Sequence, residues 1–105
     1  MFVARWQIDA RFGHKQTVID LMRKWENEIG EQVGLREMEF SMLSGSIGAR
    51  EATLEADHRV KSLTQLEDFF SRIGALDAHR AWGKEIEPYV VSGSSRWEIF
   101  RVIDR

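Results

Sequence analysis

The chain has 105 residues, a formal charge of -2, 43% apolar and 30% charged side chains, one proline and no cysteine. That composition suits one globular domain with a single core, and it excludes disulfides, zinc–thiolate centres and cysteine nucleophiles. Fifteen Lys and Arg are spread along the chain against seventeen Asp and Glu, which argues against nucleic acid as a partner; no apolar run is long enough for a membrane span. The start MFVARWQID lacks a signal-peptide pattern, so the reading is a soluble, cytoplasmic protein.

Strict alternation opens the chain. Phe2, Ala4, Trp6, Ile8 and Ala10 share one side and Val3, Arg5, Gln7 and Asp9 the other, which predicts a strand over residues 2–10 with one buried face. After a turn at Gly13, Val18, Leu21, Met22, Trp25 and Ile29 fall on one helical face. The spacing predicts a helix over residues 15–29, with stop signals at Gly30 and Gly34.

Alternation returns twice, with Met38, Phe40 and Met42 opposed to Glu37, Glu39 and Ser41, then with Ala52, Leu54, Ala56 and His58 opposed to Thr53, Glu55 and Asp57. The SGSIG between them predicts an antiparallel hairpin. Ser62 and Gln65 form a capping box ahead of Leu63, Leu66, Phe69, Phe70 and Ile73, the second main helix. A short third helix is expected from Asp77 as N-cap to Tyr89, finishing at Pro88. The last segment, residues 96–103, carries apolar residues on both sides, Trp97, Ile99 and Ile103 against Phe100 and Val102, and is expected to be buried on both.

This order gives an α+β, ferredoxin-like βαββαβ domain spanning residues 1–105, with a four-stranded antiparallel sheet, helices on one face and an extra short helix before the last strand. The opposite sheet face mixes Arg5, Gln7, Glu37, Glu39, Glu55 and Asp57 with Val3, Leu43, Phe100 and Val102. Apolar groups there are expected to be covered by a second copy of the chain, giving a homodimer through the open sheet face. The two similar segments LSGSIGAR and VSGSSRWEIF are not phosphate loops: one joins strand to strand, the other leads from helix to strand, and neither opens a helix.

The front segment FVARWQIDARFGHKQTVIDLMRKW and the back segment HRAWGKEIEPYVVSGSSRWEIFRVI resemble the dimeric α/β barrel superfamily, in which two ferredoxin-like subunits pack sheet on sheet. The back segment, a Trp-bearing helix ending in Pro-Tyr before a Trp-bearing strand, is similar to the small NIPSNAP-like proteins. The resemblance covers nearly the whole chain. Its members include cofactor-free antibiotic-biosynthesis monooxygenases, haem-degrading monooxygenases and lactone isomerases. The haem-degrading type would imply a His on the second helix region, a Trp on the third strand and an Asn on the first; this chain has His79 after its second helix but neither the Trp nor the Asn, which argues against haem.

His79 borders the apolar stripe of the third helix, either as a boundary histidine or as a pocket acid or base. His58 shares strand parity with Leu54 and Ala56, so its ring is expected to face the helices. With His14 in a turn, the three histidines show no HxH or HxxxH spacing and no metal site is expected. Trp6, Trp82, Trp97 and Tyr89 would line a space between sheet and helices, as a ligand pocket or as filled core, while Trp25 reads as core. Arg101 interrupts the apolar parity of the last strand, as an edge residue or as an anchor for an anionic ligand. The expected activity is a cofactor-independent oxygenase or isomerase acting on a small aromatic or enolic compound, with His58 or His79 taking a proton. A non-enzymatic ligand-binding or dimeric assembly module is the alternative.

Overall fold

Alternation at the N-terminus builds strand β1, Phe2–Asp9, in the computed structural model, which describes residues 1–104. Ala10 falls outside the strand and makes an isolated bridge to Val90. Helix α1, Lys15–Glu28, then buries Val18 and Met22. The chain leaves it through two short 3₁₀ turns, Gly30–Gln32 and Leu35–Glu37. The two glycines there act differently. Gly34 has φ 87°, a left-handed conformation that side chains disfavour. At Gly30 a Cβ would stand 2.6 Å from Leu35 Cδ2, so the missing side chain lets Leu35 pack into the core.

Strands β2, Glu39–Ser44, and β3, Thr53–Val60, form the expected antiparallel hairpin across residues 45–52. Glu37 lies in the preceding 3₁₀ turn and not in the second strand. Helix α2, Leu63–Ala75, is capped by Ser62, whose Oγ accepts the Gln65 N–H at 3.1 Å. The return bond is displaced by one residue: Gln65 Oε1 accepts from the Lys61 N–H at 2.7 Å, ahead of the cap itself. Helix α3, Asp77–Ile86, has Leu76 at its N-cap position, and Asp77 is the first helical residue, paired with Arg80. Pro88 sits in the 3₁₀ turn Glu87–Tyr89 that ends this helical segment.

The closing strand β4, Arg96–Arg101, completes an antiparallel sheet of order β2-β3-β1-β4. Helix-side residues of the central strands, Ala4, Ile8, Leu54, Ala56, His58 and Val60, are buried. Two adjoining apolar clusters fill most of the space above them, one around Phe69, Ile29 and Val60, the other around Val18, Met22 and Leu54.

One expectation fails here. β4 is not buried on both faces: Trp97 is 39% exposed, Ile99 42% and Phe100 44%. It is an edge strand with β1 as its single neighbour, and apolar parity on both sides cannot tell a central strand from an edge with something to cover it. On the open face, Arg5 pairs with Asp57 at 3.2 Å and lies 5.3 Å over the Phe100 ring. Arg59 stands 3.7 Å from Glu39, and Arg96 donates to Gln7 Oε1 at 3.0 Å. Leu43 and Phe100 stay exposed among these polar pairs. No helix among the described residues is long and apolar enough to cross a membrane.

Ser62→Ala removes the side-chain acceptor for the first turn of α2 and is expected to cost about 1 kcal/mol. Urea unfolding should show a lower midpoint at unchanged slope; an unmoved midpoint would show that the cap contributes nothing.

Candidate functional site

Strand register places Trp97, Trp6, Ala56 and Met42 abreast on the helix side, and in the next row Ile99, Ala4, His58 and Phe40. Ala56 at the middle of the sheet leaves a low floor. Above it, Trp25 of α1, Phe69 of α2 and Trp82 of α3 are too large to collapse onto that floor, and a cavity of about 410 Å³ remains between sheet and helices. Its walls are almost wholly apolar or aromatic, with Trp6, Trp25, Trp82, Trp97, Phe40, Phe69 and Phe70 among them. This size and character fit a small-molecule site, for which roughly 300–1,000 Å³ is usual. Phe70, Glu87, Ser95 and Trp97 are the exposed members of the wall and mark its mouth, where Phe70 and Trp97 meet edge to face at 4.9 Å.

Three of the four indoles are fixed by hydrogen bonds. Trp82 Nε1 donates to the Leu21 carbonyl at 2.7 Å, Trp25 Nε1 to His79 Nδ1 at 3.0 Å, and Trp6 Nε1 to Ser95 Oγ at 2.9 Å. The first two tie α3 to α1, and the His79 ring stacks on Trp82 with 23° between planes. Buried indole N–H groups need such partners, and here they lock the cavity wall.

Both histidines of the wall have their tautomers dictated by their neighbours. His58, 2% exposed, has Nδ1 3.1 Å from the Ala4 carbonyl; a carbonyl only accepts, so Nδ1 carries the hydrogen and Nε2 is left as an acceptor. His79 is the mirror case. An indole N–H only donates, so His79 Nδ1 accepts and Nε2 carries the hydrogen. Neither Nε2 bonds to another described residue. Burial holds the His58 pKa below the usual 6.5, against the opposing pull of the Ala4 and Ala56 carbonyls. His79 is lowered as well, by burial first and then by the Arg80 guanidinium. Two neutral imidazoles therefore line the cavity at neutral pH.

Of the residues proposed from sequence, His58, His79, Trp6, Trp82 and Trp97 meet at this one cavity. Tyr89 does not: it packs under the second core cluster and against His14, ring centroids 5.4 Å apart. Arg101 does not either. It is exposed at the end of β4 with its guanidinium 5.6 Å over the Phe2 ring, too far along the strand to anchor a ligand. Trp25 serves core and cavity together. Sequence reasoning missed Phe40, Met42 and Ala56, although strand parity placed all three on the helix side; what it could not see is that the alanine makes the gap. Ser95 and Glu87 came from segments with no site pattern.

A histidine with a depressed pKa favours the fold where it is neutral. Between its folded pKa and 6.5 the unfolded chain holds more protons than the folded one, so this stability is present above 6.5 and is lost as pH falls toward the folded value. His58→Asn keeps a donor near the Ala4 carbonyl and removes the titration. It should flatten the loss of stability between about pH 7.5 and about pH 5 in urea unfolding; a slope unchanged from wild type would contradict the assignment.

No protein-family model matches the sequence, and no curated protein matches it. Solved structures do match in fold. The chain is similar to a NIPSNAP family protein from Agrobacterium tumefaciens, with TM-score 0.76, 17% identity, and 98% of this chain and 93% of that one covered. It is similar to an uncharacterized NIPSNAP domain protein from Burkholderia xenovorans at TM-score 0.72 and 10% identity, covering 98% and 95%. An antibiotic biosynthesis monooxygenase is similar at TM-score 0.70 and 10% identity, covering 99% and 100%. At these identities the likeness is one of fold: the chain has the ferredoxin-like fold of the NIPSNAP and antibiotic biosynthesis monooxygenase structures.

Proposed function

We propose that this protein binds a small aromatic or enolic compound in the cavity between sheet and helices and acts on it as a cofactor-independent oxygenase or isomerase. The observation that carries the reading is the 410 Å³ aromatic-walled cavity with two neutral histidines in its wall. A flat ring would lie among Trp6, Trp82 and Trp97. Removing a proton from a phenol or enol by an imidazole yields an electron-rich anion that can return the proton at another carbon or pass electrons to oxygen, and neither course needs a resident group. With Arg101 remote, the developing anion would rely on the His79 Nε2–H. A relative in fold named an antibiotic biosynthesis monooxygenase lends support, but fold does not transfer chemistry.

The same proposal takes the molecule to be a homodimer through its open sheet face. Leu43 and Phe100 are exposed there beside half-buried Val3, and the exposed apolar edge of β4 adjoins them. A second copy would cover these groups and leave the Arg5–Asp57 and Arg59–Glu39 pairs toward a polar rim.

Two outcomes are expected. Light scattering at micromolar concentration should give twice the chain mass; a monomer would remove the dimer. Ala56→Leu fills the cavity floor, so it should raise stability by roughly 0.5–2 kcal/mol while abolishing the thermal shift given by aromatic ligands. If Ala56→Leu leaves ligand shifts intact, the cavity is not the site. Saturable binding without turnover of any bound phenol or enol would leave a binding module in place of an enzyme.

A further inference from the structure

The cavity wall has a definite hydrogen-bonding polarity, and it restricts what can be held there. Among the wall residues the one charged side chain is Glu87, exposed at the mouth. Neither Lys nor Arg contributes, so a carboxylate entering this apolar space would lose its hydration, find no counter-charge and face a like charge at the entrance. Against this background the two imidazoles present one acceptor, Nε2 of His58, and one donor, the Nε2–H of His79. Neither can exchange roles cheaply. Inverting His58 would set a lone pair against the Ala4 carbonyl, and inverting His79 would set two hydrogens against each other at Trp25 Nε1.

Resting on the reading of the cavity as a ligand site, we propose that the two histidines select an uncharged aromatic compound bearing both a hydroxyl and a carbonyl. The hydroxyl donates to His58 Nε2 and the carbonyl accepts from His79 Nε2–H. The two rings come from different layers, His58 from the central strand β3 and His79 from α3, so the pair reads two ends of one flat molecule. Phe69 lies 5.3 Å from the His58 ring and 6.2 Å from Trp25, the indole bonded to His79, and adds apolar surface beside them. The aromatic wall recognises the ring, and the histidines recognise its substituents.

The test uses the intact protein and pairs ligand changes with side-chain changes. Probes are para-hydroxyacetophenone, its methyl ether, which has no hydroxyl donor, para-ethylphenol, which has no carbonyl, and the charged analogues para-hydroxybenzoate and tyramine. Binding is read from tryptophan fluorescence and thermal shift. On wild type, each single deletion from the ligand should weaken binding about three- to tenfold, as one hydrogen bond would, and para-hydroxybenzoate should bind more weakly than the neutral ketone. His58→Asn and His79→Asn each keep an atom able to satisfy Ala4 or Trp25 while deleting the Nε2 group. His58→Asn should weaken para-hydroxyacetophenone but not the methyl ether, and His79→Asn should weaken para-hydroxyacetophenone but not para-ethylphenol. Equal losses for all probes in either variant would overturn the assignment of roles. Preferential binding of para-hydroxybenzoate would overturn the exclusion of anions, and preferential binding of tyramine would show an aromatic cage for cations instead. If either variant fails to fold, the ligand series on wild type still decides, since equal affinity for all three neutral probes refutes the pairing. Failure of every probe to bind would overturn the cavity reading itself, together with this inference.

Discussion

The cavity depends on the register of β1 between β3 and β4. That register brings Ala4 opposite His58 and Trp6 opposite Ala56, so each of these two central pairs sets a small residue against a large one. A slip of one residue would turn every side chain of β1 to the other face and bury Arg5 and Gln7 under the helices. Desolvating an unpaired guanidinium is costly enough to exclude that alternative. Once the register is set, Ala56 forms the low floor, and the bulky residues of three helices span it without filling it.

Hydrogen bonds of the aromatic residues then turn a packing gap into a defined site. Apolar burial alone would let the helices settle lower, since dispersion and hydrophobic gain both favour closing a void. Two indole N–H bonds oppose that settling, because lowering α3 toward the sheet would break the bonds from Trp82 to Leu21 and from Trp25 to His79. The same bonds fix the His79 tautomer, so one arrangement serves both the architecture and the chemistry of the wall. His58 achieves the complementary state by a different route, a backbone carbonyl on the neighbouring strand.

The two faces of the sheet thus follow different physics. On the helix side, a row of buried apolar groups interrupted by alanine borders an aromatic-walled cavity. On the open side, ion pairs and amides cross between strands, and they are too exposed to contribute much stability to one chain. The edge strand β4 belongs to both faces, with Trp97 at the cavity mouth and Phe100 on the open side.

Local periodicity determined the elements and their order: alternation gave all four strands, helical spacing gave the three helices, and Ser62 and Pro88 marked the start of α2 and the end of the α3 segment to within a residue or two. Parity alone also placed His58, Trp6 and Trp97 on the helix side, because a side chain's face in a strand is set by its sequence position. Distance along the chain hid the rest. Whether β4 is central or at an edge depends on strand order, and the tautomers of His58 and His79 depend on Ala4 and Trp25, each 54 residues away. Arg101 shares the parity of Trp97 yet lies a full row beyond the cavity, a separation along the sheet that parity cannot express. The void itself is a tertiary fact: alanine in a strand reads as ordinary core, and only the size of the helical side chains poised above it decides whether that place is filled or open.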